Sequence, residues 1–246
     1  MKKLLVAGIA AAALYSAPVL AADYPAKAAP MASVFNWSGF YAGGNIGWGR
    51  ADVGWTFDPA IPAAANQSYK VRQSGLVGGV QGGIQQQFGN WVLGVEANWD
   101  VSDRWGKRAG FGNNPARDSE VRTDYFTVGP RLGWAMNNSM LYATGGWAEG
   151  RIDTRAIVNA TGALADATSA HHTGWFLGGG WDYAITPLLI FGVDYRHIHL
   201  GTKNQCDFGN CVTGAAVFTN VDVNANIDVV TARLSLKFNT VGFGRP

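Results

Sequence analysis

T-G-W-F-L-G-G-G-W-D-Y-A (173–184) and L-I-F-G-V-D-Y-R-H-I-H-L (189–200), joined by Ile185-Thr186-Pro187-Leu188, carry the reading of the fold. In the second segment Leu189, Phe191, Val193 and Tyr195 alternate with Gly192, Asp194 and Arg196. A period of two is that of a β-strand with one apolar face. In the first segment Trp175 and Trp181 share one parity, and Asp182 has the other. The short, proline-bearing connection cannot continue a strand, so the pair reads as an antiparallel hairpin.

The same pattern repeats along the chain. Eight segments alternate, at about 37–50, 75–87, 91–102, 124–135, 140–151, 173–184, 189–200 and 227–238. Phe88-Gly89-Asn90, Met136 to Ser139 and Ile185 to Leu188 are tight connections, whereas about 51–74, 103–123, 152–172 and 201–226 are long ones. Short turns on one side and long loops on the other are the asymmetry of outer-membrane barrels. That places the tight turns and both chain ends in the periplasm and the long loops outside. No apolar run after residue 21 approaches the roughly 20 residues of a spanning helix. A membrane-crossing sheet must close on itself, because lipid offers a free edge no partner. The fold class expected is therefore all-β: an eight-stranded antiparallel transmembrane up-and-down β-barrel.

The ends of the chain set the compartment. Met1-Lys2-Lys3 precedes an uncharged, Ala-rich stretch from Leu4 to Leu20, and Val19-Leu20-Ala21 offers a cleavage site. This is the pattern of a secretory signal peptide over 1–21. Residues 22–36 read as a periplasmic lead-in, 37–238 as the barrel and 239–246 as a C-terminal extension. Loss of Lys2 and Lys3 takes 19 basic residues to 17 against 17 acidic ones, so the mature charge is zero. A neutral chain gives no footprint for nucleic acid.

Alternation alone would also suit a soluble sandwich; two features separate them. Parity points Glu96, Asp100, Arg131, Asp182, Asp194, Arg196, Arg233 and Lys237 inward, four acids and four bases. An eight-stranded barrel is just wide enough for side chains to fill. Charges there are costly unless paired. Glu96 and Arg131 lie on adjacent strands, as do Asp194 or Arg196 and Arg233. The second feature is tryptophan placement: Trp48, Trp99, Trp147 and Trp175 lie near loop ends, and Trp91, Trp134 and Trp181 near turn ends. Two bands are what aromatic girdles at two interfaces require. Trp37 is off parity and is assigned only to the strand entry.

With these segments placed, WSGFYAGGNIGWG (37–49), GLVGGVQGGIQQQFGNWVLGVEANWDVSD (75–103), YFTVGPRLGWAMNNSMLYATGGWAEG (125–150), TGWFLGGGWDYAITPLLIFGVDYRHIHLGT (173–202) and VVTARLSLKF (229–238) resemble the small porin-like or outer-membrane immunogenic β-barrel family. The resemblance implies an eight-stranded barrel of the type in the membrane domain of outer-membrane protein A. It also implies that the barrel-insertion machinery reads an aromatic at the end of the last strand, which here is Phe238. The chain departs by continuing NTVGFGRP, in which Phe243 is a late substitute.

Function classes follow from the interior. The expectation is a structural, surface-exposed envelope barrel whose lumen is plugged by ion pairs; the alternative is a narrow pore gated by them. A lipid-acting or proteolytic barrel enzyme would need a nucleophile beside a base. No inward His lies beside a Ser, so no catalytic residue is assigned, and no cofactor is expected. His171, His172, His197 and His199 gather at the loop end of one hairpin and form a weak metal candidate. Export favours a disulfide between Cys206 and Cys211. Arg104, Lys107 and Arg108 in the second loop face the height of lipopolysaccharide phosphates, to which Arg bonds well.

Overall fold

The computed structural model describes residues 35–57, 68–103, 105–111, 114–158, 160–205 and 221–238. The strands are β1 (Gly39–Phe57), β2 (Ser68–Phe88), β3 (Trp91–Ser102), β4 (Trp105–Phe111), β5 (Asn114–Met136), β6 (Ser139–Val158), β7 (Leu164–Ala184), β8 (Leu189–Gln205) and β9 (Val221–Phe238). All pairings are antiparallel, and β3 pairs with β5 as β1 pairs with β9, so eight strands close a barrel. The ninth, β4, folds back on β5 alone among the barrel strands in register. It makes a hairpin of the segment read from sequence as the second long loop. The tight turns are two-residue connections in two places, with Gly89 at φ 61° and Asn137 at φ 55°. Those are the left-handed values that a short hairpin turn needs and that Gly and Asn supply.

The strands run longer than the alternation of apolar outward residues indicated. On β1 and β2 the ladder continues to Thr56↔Ser68. Past the tryptophan band the outward face turns polar while the inward face stays apolar, with Ala51, Val53, Ile152, Ile198 and Leu200 buried, and that inner packing carries the strands on. On β9 Val223 and Ala225 are buried although 201–226 reads as a loop, and they continue the buried run of Ile227 and Val229. That period-two run, V-x-A-x-I-x-V, was the signal available in the sequence.

Outward residues between the two tryptophan bands are apolar and exposed, among them Ile46, Val80, Leu93, Leu177 and Leu234. Inward residues fall into three layers. At the turn end Trp37, Val92, Ala135, Met140, Tyr142, Ala184 and Ile190 pack together with Phe35. At the loop end Ala51, Val53, Val77, Ile152, Phe176, Ile198, Leu200 and the β9 residues form a second apolar cluster. The charged residues lie between them. Trp37 is thus more than a strand entry: it is fully buried across the turn end, and its indole nitrogen donates to the Asn137 carbonyl at 3.3 Å.

Candidate functional site: the charged lumen and the rim

Seven of the eight predicted inward charges meet in two groups. In the lower one, Arg131 Nη1 lies 3.1 Å from Glu96 Oε2, and Arg131 Nη2 donates to Asp182 Oδ2. Arg233 grips the same glutamate with both nitrogens, at 2.5 and 3.1 Å. Tyr41 OH donates to Glu96 Oε2 at 2.6 Å, and Tyr142 OH accepts from Arg233 at 2.9 Å. The Arg131 guanidinium also lies 3.6 Å from the centroid of the Tyr142 ring, a cation–π arrangement. In the upper group Arg196 joins Asp100 at 2.9 Å and Asp194 at 3.0 Å, and Thr231 donates to Asp194. The paired side chains of both groups are at most 5% exposed.

Glycines on the inner face make the room. A Cβ on Gly83 would meet the Tyr41 hydroxyl at 2.5 Å, one on Gly180 the Tyr142 hydroxyl at 2.6 Å, and one on Gly192 the Asp182 carboxylate at 2.1 Å. Each of these glycines is the register partner of the side chain it would meet, so Tyr41, Tyr142 and Asp182 lie over the adjacent strand only because that strand has no side chain there.

The pairing between Glu96 and Arg131 is observed, but the pairing expected between β8 and β9 is not. Arg233 reaches across the lumen to Glu96 on β3, and Arg196 turns to Asp100 on β3 and to Asp194 on its own strand. A side chain inside a narrow barrel reaches the far wall as easily as the next strand, so adjacency in the sheet does not choose the partner. Lys237 is buried but stands apart from both groups, with Nζ 4.8 Å from the Phe35 ring centroid at the turn end.

All seven tryptophans assigned to the girdles, Trp48, Trp91, Trp99, Trp134, Trp147, Trp175 and Trp181, point outward and are exposed. Beyond the loop-end band the outward face becomes charged. Arg50 and Arg72 share Asp52, Arg122 pairs with Asp124, and Arg151 with Asp153, at 2.8 to 3.5 Å. Here the arginines are half exposed, from 46 to 63%. On the same rim Asp228 accepts from Tyr195 at 2.7 Å and bonds His197 at 2.7 Å. Partial burial alone would raise its pKa; the His197 and Tyr195 hydrogen bonds outweigh that and hold it below the usual carboxylate range.

The histidine candidate comes apart. His171, His197 and His199 face outward, whereas His172 points inward, buried, with Nδ1 3.2 Å from the Gly201 carbonyl oxygen. Neighbouring residues on a strand take opposite faces, so His171 and His172 cannot serve one site. His199 is instead held by Asn226 at 2.6 Å, with Trp175 packed against both His197 and His199. Among the described residues no group of three or more His, Cys, Asp and Glu could hold a metal ion. Arg104, Cys206 and Cys211 lie outside the described residues, as do the side chains of Lys107 and Arg108 and the segments 1–21 and 239–246.

Residues 7–238 match the family described as outer membrane protein beta-barrel domain. The chain is 32% identical over 243 residues to the 31 kDa outer-membrane immunogenic protein of Brucella melitensis biotype 1, covering 92% of this chain and 99% of that one. It is 27% identical over 208 residues to the 25 kDa outer-membrane immunogenic protein of Brucella abortus biovar 1, covering 82% and 86%. Among solved structures it is similar to Neisserial surface protein A, with 14% identity, a TM-score of 0.43, and 82% and 98% of the two chains covered.

Proposed function

The chain belongs to the outer membrane protein beta-barrel domain family, and from that membership we propose a structural and surface role in the envelope, with the lumen sealed. It is an outer-membrane protein, and its barrel spans that membrane with the tight turns and the ends of β1 and β9 on the periplasmic side. The observation that carries the reading is the layering of the inner face. Two apolar layers flank the charged one, and its ion pairs leave almost no exposed surface. An ion crossing this path would have to part both apolar layers and displace a guanidinium from its carboxylate. Among the described residues the inner carboxylates are engaged by arginines, an arrangement suited to ion pairing rather than to proton abstraction. The insertion machinery would meet the barrel at β9, whose terminal Phe238 is exposed outward.

One observation favours a narrow channel as the second reading. Asn98 Oδ1, Tyr125 OH and Thr127 Oγ1 are buried with no hydrogen-bond partner among the described residues. Such atoms are suited to internal water, which would give the middle layer a polar path between its closed ends. Planar-bilayer recording of the refolded protein separates the readings. The expected result is a silent parent and small openings only when Trp37→Ala and Arg131→Ala are combined. Stable open events in the parent would overturn the sealed lumen.

A further inference from the structure

The two charged groups of the lumen are not balanced alike. In the lower one Arg131 and Arg233 face Glu96 and Asp182, two bases against two acids. In the upper one Arg196 alone faces Asp100 and Asp194. The remaining inward base, Lys237, lies beside Phe35 at the turn end. It is six residues along β9 from Thr231, which donates to Asp194, and so about 20 Å away. The inward His172 lies at the loop end against the Gly201 carbonyl, and burial keeps its ring neutral at neutral pH. Among the described residues the upper group therefore keeps one buried negative charge in excess. A buried charge without its counter-charge is strongly destabilising.

The same place holds oxygens with no hydrogen-bond partner among the described residues. Asp100 gives Oδ2 to Arg196, whereas its Oδ1 has none. Asn98 Oδ1, Tyr125 OH, Thr127 Oγ1 and Asn45 Oδ1 are likewise buried and unpartnered. The register gathers them around Asp100. Tyr125 is the β5 partner of Asp100, and Thr127 is that of Asn98, which shares the inner face of β3. The Tyr125 hydroxyl lies within electrostatic reach of Asp100, Asp194 and Arg196. On the other side only Gly79 separates Asp100 from Asn45 in register. A Cβ on Gly79 would lie 2.4 Å from Asp100 Oδ1, so the carboxylate leans over that glycine, and Asn45 stands beside it. Both amides are held with their nitrogens elsewhere. Asn98 Nδ2 donates to Glu96 Oε1 at 3.2 Å and Asn45 Nδ2 to Gln81 Oε1 at 3.1 Å, and turning either would set oxygen against oxygen.

We infer that the upper lumen binds one monovalent alkali cation at Asp100, ligated by oxygens of Asp100, Asn45 and Asn98 and closed over by the hydroxyls of Tyr125 and Thr127. The amide and carboxylate oxygens can only accept. Water would satisfy them but brings no charge, whereas a cation meets the acceptors and the missing charge together. The set is all oxygen, with no His or Cys, which suits a hard cation rather than a transition metal. One positive charge balances the upper group, and a divalent ion would overshoot it. That balance is the same whether the ends of the lumen are closed or open, so the site stands or falls separately from the sealed reading.

Refolding the protein in detergent with sodium, potassium or choline chloride at one ionic strength, followed by urea unfolding, tests this. Choline is too bulky for the layer. The parent is expected to unfold at higher urea in Na+ or K+ than in choline, because a ligand that binds only the folded state stabilises it. Asp100→Asn should lose that dependence. Tyr125→Phe and Thr127→Val carry the test should Asp100→Asn fail to refold, since each removes a hydroxyl with no hydrogen-bond partner among the described residues. Both should lower the midpoint in the alkali salts and leave it unchanged or higher in choline. Asp52→Asn at the rim is the control and should keep the parent's dependence. Crystals grown with Tl+ should show anomalous density beside Asp100 Oδ1. Equal parent midpoints in all three salts would overturn the site and leave water, or a proton on Asp100, as the occupant. So would equal losses from Tyr125→Phe and Thr127→Val in choline and in the alkali salts, which bound water would give, or Tl+ density that avoids Asp100.

Discussion

Arg131 and Arg151 are both arginines held by carboxylates on this barrel, and they live in different worlds. Arg131 lies inside, bonded to Glu96, Asp182 and Tyr41 and stacked on Tyr142, with 3% of its side chain exposed. Arg151 lies on the outer rim, 3.1 Å from Asp153 and half exposed. The pairing chemistry is the same, yet the medium differs. Inside, removing one partner strands a buried charge, whereas at the rim water replaces whatever is lost. A count of ion pairs therefore says little about this protein until each is placed on the inner or outer face.

The largest effect should come from breaking the inner group on one side only. Arg131→Ala leaves Glu96 and Asp182 short of a cation and should cost about 3–5 kcal/mol, read by urea unfolding of the barrel in detergent. Replacing Arg131, Glu96 and Asp182 together with apolar residues should cost much less. A triple variant as unstable as the single one would erase the distinction between stranded and absent charge.

A smaller, graded effect is expected from pH at the loop end. Burial lowers the His172 pKa below its ordinary value; the Gly201 hydrogen bond opposes this, and Lys203 and His171 add to the lowering. Unfolded, the ring takes its proton near pH 6.5; folded, it does so only at lower pH. The unfolded state thus binds more protons between those two values, and stability falls as pH drops below about 6.5. Melting curves from pH 7.5 to 5 should show that decline, and His172→Leu should flatten it. An unchanged slope in the variant would assign the decline elsewhere.

The smallest effect belongs to the rim. Arg151→Gln should change stability by less than about 1 kcal/mol, with the gel-shift temperature as the measure. A loss comparable to that of Arg131→Ala would mean that the rim is shielded from water and that the comparison fails.

Much of this was legible beforehand, for a local reason. A strand alternates its side chains, so Phe191 against Gly192, or Trp99 against Asp100, assigns the faces without knowledge of any partner. Turn chemistry at Gly89 and Asn137 placed the hairpins. The histidines show where such reading fails. Proximity along a hairpin suggested one cluster, while parity had already divided His171 from His172.

Sequence by itself determined the number of crossings, the direction of the eight barrel strands and the face of the eight inward charges, since all three follow from a period of two and the length of the connections. Tertiary structure alone decided that Arg233 reaches Glu96, that Trp37 closes the turn end and that β4 folds on β5. Partners across a lumen depend on how far each strand is staggered against the next around the closed ring, and no stretch of chain carries that stagger within itself.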